Sequence, residues 1–282
     1  MIISNFDIQR LLKAGGRYGG ALDGDLGPNS MRGVDGLLES RSGEVSGQYK
    51  RWSARRRATA AFQLILKHAG FPDVGAIDGL VGPNTVQAYS EWDHLQREGE
   101  RPAAWRPDDT PLTPEEDGRP VAGMANDWGS QSGMDRRFGP AGGPQCTAGK
   151  VNLPFDMRIA WDLRTTVRRF SCHEEVAQSA ERVYARVASA YSPREISALG
   201  LDLFGGCYNF RKKRGGTTLS THAYGLAIDT DPLRNQLRWT RSRANLAQPR
   251  AEEWWRCWQA EGWLGLGPAR DFDWMHVQAP GL

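Results

Sequence analysis

The stretch Leu219-Ser-Thr-His-Ala-Tyr-Gly-Leu-Ala-Ile-Asp-Thr-Asp-Pro-Leu233 sets Ser220, His222, Gly225, Ala227 and Asp229 into the pattern S-x-H-x-x-G-x-A-x-D. Downstream, Asp273-Trp-Met-His276 adds a second imidazole with a carboxylate three residues before it. Two imidazoles and a carboxylate make a donor set suited to zinc, which in catalytic sites takes three protein ligands and keeps a fourth position for water. A spare acid beside such a set can take a proton from that water. Five fixed positions at background frequencies would match by accident roughly once in ten thousand chains of this length.

These residues need elements to bring them together. Residues 226–229 alternate, with Leu226 and Ile228 on one side and Ala227 and Asp229 on the other, the period of a half-buried strand. His222 precedes Asp229 by seven positions, so a straight strand would send the two side chains to opposite faces. The chain must bend between them, and Gly225 is the residue that permits it. Ala227 leaves room beside Asp229. Asp273 and His276 would share a face in a helical turn and oppose each other on a strand, so a tight turn or an irregular strand end is expected there. Residues 162–190, with Val167, Phe170, Val176, Ala180, Val183 and Val187, predict one interrupted helix or two packed helices. The break falls near Ser171, and Tyr191-Ser-Pro193 ends the run. Residues 249–262 predict an amphipathic helix whose Trp254, Trp255 and Trp258 belong in a core. Residues 129–149 read as loop.

The segment Gly205-Gly-Cys-Tyr-Asn-Phe-Arg211, then Arg214-Gly-Gly216, the S-x-H-x-x-G-x-A-x-D run and the terminal D-x-x-H together resemble the LAS-type zinc peptidases of peptidase family M15. That group includes D-alanyl-D-alanine carboxypeptidases and dipeptidases, and phage L-alanyl-D-glutamate endolysins. The resemblance runs from residue 138 onward and is strongest over 205–232 and 262–278. It implies an α+β domain of the hedgehog/DD-peptidase kind, with a small, mainly antiparallel sheet. It also implies one catalytic Zn2+ held by His222, Asp229 and His276, with Asp273 as general base and Arg211 as the cation facing the scissile carbonyl. Many relatives carry glutamate where this chain has Asp273. Arg214 competes with Arg211 for the cationic role. Ser220 and Tyr208 are candidates for orienting substrate, or are hydroxyls bonded to nearby backbone.

Ala21-Leu-Asp-Gly-Asp-Leu-Gly-Pro-Asn-Ser30 matches Ala76-Ile-Asp-Gly-Leu-Val-Gly-Pro-Asn-Thr85, and Gln9-Arg-Leu-Leu-Lys13 echoes Gln63-Leu-Ile-Leu-Lys67. Each copy reads as an apolar helix, a D-G turn and a second helix opened by G-P-N-[ST], with Asn29 or Asn84 placed to cap it. Two copies of so short a unit predict a compact helical module with internal pseudo-symmetry. The pattern is similar to the peptidoglycan-binding domain type 1, which implies an all-α three-helix fold that grips the cell wall. The other reading is a helical cap without a ligand.

Residues 99–130 read as a Pro-rich linker, five prolines falling between 100 and 120. The expected organisation is therefore 1–98 binding module, 99–130 linker and 131–282 catalytic domain. A net charge of +3 is too weak to argue for nucleic acid, and the cluster Lys50-Arg-Trp-Ser-Ala-Arg-Arg-Arg57 is a solvated face or a site of attraction to an anionic envelope. The four cysteines (Cys146, Cys172, Cys207, Cys257) show no C-x-x-C pair and are expected as buried thiols, with one or two disulfides open after export. Met1-Ile-Ile-Ser-Asn-Phe-Asp7 has no basic or long apolar leader, and nothing resembles a membrane span. The expectation is a monomer made in a host cytoplasm that reaches bacterial peptidoglycan through a membrane lesion, with a holin for access. The favoured activity is that of an endolysin cutting L-alanyl-D-glutamate. The alternatives are a D-alanyl-D-alanine carboxypeptidase, a virion-associated wall-remodelling peptidase, or a wall-binding protein with structural zinc.

Overall fold

The computed structural model describes residues 3–101, 124–214 and 216–282, and the chain divides into two units, 1–104 and 105–282. The first unit contains α1 (Asn5–Ala14), α2 (Pro28–Ser40), α3 (Ala54–His68) and α4 (Pro83–Glu98). Among the described residues these four α-helices are the two helix–turn–helix copies read from the repeat, one more than the three that the resemblance to the type 1 binding domain implied. Their apolar stripes meet in one core that includes Ile8, Leu12, Val34, Leu38, Phe62 and Tyr89. Ser4 starts α1 with a capping box to Asp7. Asn29 and Asn84 do not cap: the cap positions of α2 and α4 are Gly27 and Gly82, followed directly by Pro28 and Pro83. Proline in the first turn costs no hydrogen bond and presets the helical φ, so no side-chain cap is needed to begin these helices.

One buried glutamine holds each turn. Gln9 donates through Nε2 to Asp23 Oδ1 (2.7 Å) and to the Asp25 carbonyl (2.7 Å), and its Oε1 accepts the Gly24 N–H at 2.8 Å. Gln63 repeats this with Asp78 Oδ1 (3.2 Å), the Leu80 carbonyl (3.0 Å) and the Gly79 N–H (2.9 Å). The Ser30 and Thr85 hydroxyls close the same circuits. Gly24 and Gly79 have φ of 76° and 70°, which L side chains rarely adopt.

In the second unit, short helices α5 (Met134–Phe138) and α6 (Gln145–Ala148) lead into β1 (Gly149–Ile159) and β2 (Asp162–Cys172). There follow α7 (Ala177–Ala190), α8 (Pro193–Leu199), β3 (Leu203–Gly206), β4 (Ala227–Thr230), α9 (Glu252–Ala260), β5 (Leu264–Gly265), α10 (Leu266–Arg270) and β6 (His276–Gln278). The sheet has six strands in the order β2-β1-β3-β4-β6-β5, and β1 with β3 is its one parallel pair among the described residues. The mixed α/β, mainly antiparallel architecture agrees with the expectation.

The helix expected from residue 162 is a correction. Residues 162–172 are β2, and only Ala177–Ala190 are helical. Val176, Ala180, Val183 and Val187 carry the helical period by themselves. Phe170 and Cys172 instead alternate inward, and β2 pairs along β1 with Val151 opposite Phe170. Long-range pairing overrides the local pattern at Val167 and Phe170. Ser192 and Glu195 then form a capping box that begins α8, so the Tyr191-Ser-Pro193 break ends one helix and starts another.

Trp254, Trp255 and Trp258 are buried, as expected of core rather than surface aromatics, and Trp254 and Trp258 pack against Tyr184. All four cysteines are buried free thiols. Most of the expected linker lies outside the described residues. Its far end packs onto the second unit, where the Ala125 N–H donates to the Ala260 carbonyl and Trp128 Nε1 donates to the Glu261 carbonyl. No helix among the described residues is long and apolar enough to cross a membrane.

Candidate metal centre

Strands β4 and β6 run antiparallel in a register that sets Asp229 opposite His276 and Ala227 opposite Gln278. With a side-chain period of two, all four residues face the same side of the sheet. His222 arrives from a 3-10 turn over Thr221–Tyr224, whose cap Ser220 accepts the His222 N–H at 3.3 Å. The turn closes at Gly225 with φ 67°, where a Cβ would stand 2.1 Å from the Cys146 carbonyl oxygen. That is the bend the spacing required. Asp273 sits in the turn before β6 with φ 53°; its N–H donates to the Leu237 carbonyl, and its carbonyl accepts the His276 N–H.

Three side-chain atoms converge. His222 Nε2 lies 3.2 Å from His276 Nδ1, His276 Nδ1 lies 3.0 Å from Asp229 Oδ1, and His222 Nε2 lies 3.3 Å from Asp229 Oδ1. A tetrahedral zinc with bonds of about 2.0–2.1 Å requires ligand atoms about 3.3–3.4 Å apart, so the triangle fits that ion with little adjustment. The outer nitrogens are also engaged. His222 Nδ1 faces the Cys207 carbonyl at 2.6 Å, and His276 Nε2 faces Gln278 Oε1 at 3.1 Å. Both partners are acceptors, so each outer nitrogen carries the hydrogen and a neutral ring turns its lone pair inward. Two lone pairs and a carboxylate oxygen in contact require a cation or a proton between them. Among the described residues, these three form the group able to hold a metal ion.

The electrostatics follow from that crowding. Burial pushes the His222 imidazole below its ordinary value. Burial opposes ionisation of Asp229, but His222 and His276 outweigh it and hold the carboxyl well below the usual range. Burial likewise opposes protonation of His276, yet its hydrogen bond to Asp229 carries this imidazole above the ordinary value. Burial lifts the Asp273 carboxyl to about 6, with His276, Arg214 and Arg211 pulling it down and Asp229 pushing it up. Asp273 Oδ1 is buried without a hydrogen-bond partner, as is Arg211 Nε. A buried carboxylate oxygen with no donor is costly unless it serves a guest.

A cleft opens over this centre, and its lining includes Ser220, Arg211, Lys213, Arg214 and Asp273 along with the three converging residues. The sequence-derived candidates are thus brought together, with one exception: Tyr208 is 38% exposed and is not part of the lining. Both arginines reach the cleft, so each is placed to face a substrate carbonyl there. Two features of the site escaped sequence reasoning. The Cys207 carbonyl is a backbone atom and leaves no mark on the sequence. Gln278 does leave one, since the H-x-Q spacing on a strand puts it on the same face as His276.

Residues 214–279 match a peptidase family described as D-alanyl-D-alanine carboxypeptidase. The matched segment contains His222, Asp229, Asp273, His276 and Gln278; Arg211 and the first unit lie outside it. No curated protein and no solved structure matches the chain.

Proposed function

We propose that the chain is a zinc peptidase of bacterial peptidoglycan that hydrolyses a stem-peptide amide, with its first unit holding the wall. The observation that carries this reading is the inward triangle of His222 Nε2, Asp229 Oδ1 and His276 Nδ1 with Asp273 beside it. A structural site would have no use for a fourth, buried acid. The family match over the same segment supports a peptidase.

Bound zinc supplies a Lewis acid that lowers the pKa of water to about 7 and polarises a carbonyl. Asp273 accepts the proton of the attacking water and passes it to the leaving amine. Burial raises this carboxyl above its ordinary value, which favours its return of the proton as an acid. Arg211 or Arg214 offsets charge building on the carbonyl oxygen, in a site screened from solvent. Ser220 already accepts the His222 N–H, so its first role is to fix that ligand's turn.

Within the class we favour an L-alanyl-D-glutamate endopeptidase of endolysin type, acting as a monomer after holin-dependent access. Severing a stem near the glycan dismantles the wall, whereas trimming a terminal D-alanine does not. The first unit's resemblance to a wall-binding module supports a role in which the enzyme stays on its polymer. The family description names the carboxypeptidase reaction, which uses the same chemistry on the terminal bond. Mass spectrometry of muropeptides after digestion decides between them. New amino-terminal D-glutamate is expected; release of D-alanine alone would overturn the endopeptidase assignment.

A further inference from the structure

We infer that Gln278 is a positioning residue that sets the tautomer of His276 and so makes its Nδ1 available to the metal; the inference rests on the zinc reading above. Gln278 is 2% exposed and lies two residues beyond His276 on the same face of β6. Its Nε2 donates to the Pro280 carbonyl at 2.7 Å. A carbonyl can only accept, so the amide NH2 must point there and Oε1 must point back toward the centre. Oε1 then lies 3.1 Å from His276 Nε2 and 3.5 Å from the Thr221 hydroxyl.

The consequence runs through the ring. An oxygen beside His276 Nε2 requires a hydrogen on that nitrogen, and a neutral imidazole with Nε2–H has its lone pair on Nδ1. With the amide reversed, an NH2 would face Nε2, the ring hydrogen would move to Nδ1, and the side facing Asp229 and His222 would be closed to a cation. The Pro280 carbonyl excludes that reversal because it would meet the amide oxygen. Ala227 stands opposite Gln278 on β4 and is small enough to leave the amide its place. Thr221 ties the same oxygen to the segment bearing His222, so one side chain braces two of the three ligands. Orientation of a ligand's outer nitrogen by a buried acceptor raises metal affinity by about 10- to 100-fold.

The test uses the full chain, 15N-labelled at its five histidines, and zinc titrated against a competing chelator. In zinc-loaded wild type, the His276 Nε2–H proton should resonate far downfield and exchange slowly with water. Gln278→Met removes the acceptor at similar length; zinc affinity should fall about 10- to 100-fold and that proton should move upfield and exchange quickly. Gln278→Glu keeps an acceptor and should restore most of the affinity and the downfield signal, whatever it costs in melting temperature. Unchanged affinity and signal in Gln278→Met would overturn the inference, as would failure of Gln278→Glu to recover them. If Gln278→Met does not fold, Gln278→Glu decides alone by keeping or losing the downfield proton. A wild type that binds no zinc refutes the metal reading itself, whereas zinc binding indifferent to residue 278 refutes only this inference.

Discussion

The two units bury polar side chains to opposite ends. In the first, Gln9 and Gln63 each spend both amide atoms on a loop, and every circuit closes on a carbonyl, a carboxylate, an amide N–H or a hydroxyl. In the second, three inward atoms are acceptors facing one another, and Asp273 Oδ1 and Arg211 Nε are buried without partners. Among the described residues, every buried side-chain polar atom lacking a partner lies in the second unit. Buried polarity that closes on itself specifies a fold, whereas the open set that lines the cleft, Asp273 and Arg211 beside the triangle, is placed to meet a guest. The loop aspartates of the repeat belong to the first kind. Asp23 and Asp78 accept the backbone N–H two residues on, so the D-G motif is accounted for by the turn and is not itself evidence of a ligand.

The largest effect should come from breaking the open set. Asp229→Ala removes one corner of the triangle, so metal content by elemental analysis should fall to background and stem-peptide hydrolysis by more than about a thousandfold. Zinc retained at one equivalent would show that the three residues do not act as a set. Asp273→Asn separates holding from chemistry. One equivalent of zinc should remain while turnover drops by about 100- to 10,000-fold. The base must be ionised, so wild-type activity should be lost as pH falls through its titration. That titration is near 6 in the metal-free protein, and a bound dication draws it lower, so the acidic limb belongs at or below about pH 6. If the residual activity of Asp273→Asn followed the same limb, another group would be the base.

Much of this contrast was legible before any coordinates. His222, Asp229, Asp273 and His276 stand in motifs whose spacing already demanded a bend at Gly225 and a turn before His276. The alternation of Ala227, Ile228 and Asp229 is local and sufficient for β4. What stayed hidden depends on distant partners. β2 is a strand because β1 lies beside it, and its own letters at Val167 and Phe170 fit a helix equally well. The orientation of Gln278 depends on a backbone carbonyl at Pro280, and that of the His222 ring on one at Cys207. The repeat was visible as letters, yet the reason Gln9 and Gln63 recur appears only when the loop folds back over its own helix.

The closed circuits make the mildest prediction, and it compares the two copies directly. Gln63→Leu would leave the Gly79 N–H buried and unbonded and strip a donor from Asp78 and Leu80. An unsatisfied buried group costs about 1–3 kcal/mol, so melting of the first unit should show a loss of that order. Gln9→Leu removes the same bonds, but the Gly24 N–H and Asp23 lie nearer solvent, where water can replace what is lost. Its cost should be smaller. Neither change touches the metal centre, so zinc content and hydrolysis of a soluble stem peptide should stay at the wild-type level in both. Equal losses from the two variants would mean that burial does not distinguish the copies, and a fall in soluble-peptide turnover would mean that the two kinds of buried polarity are not independent.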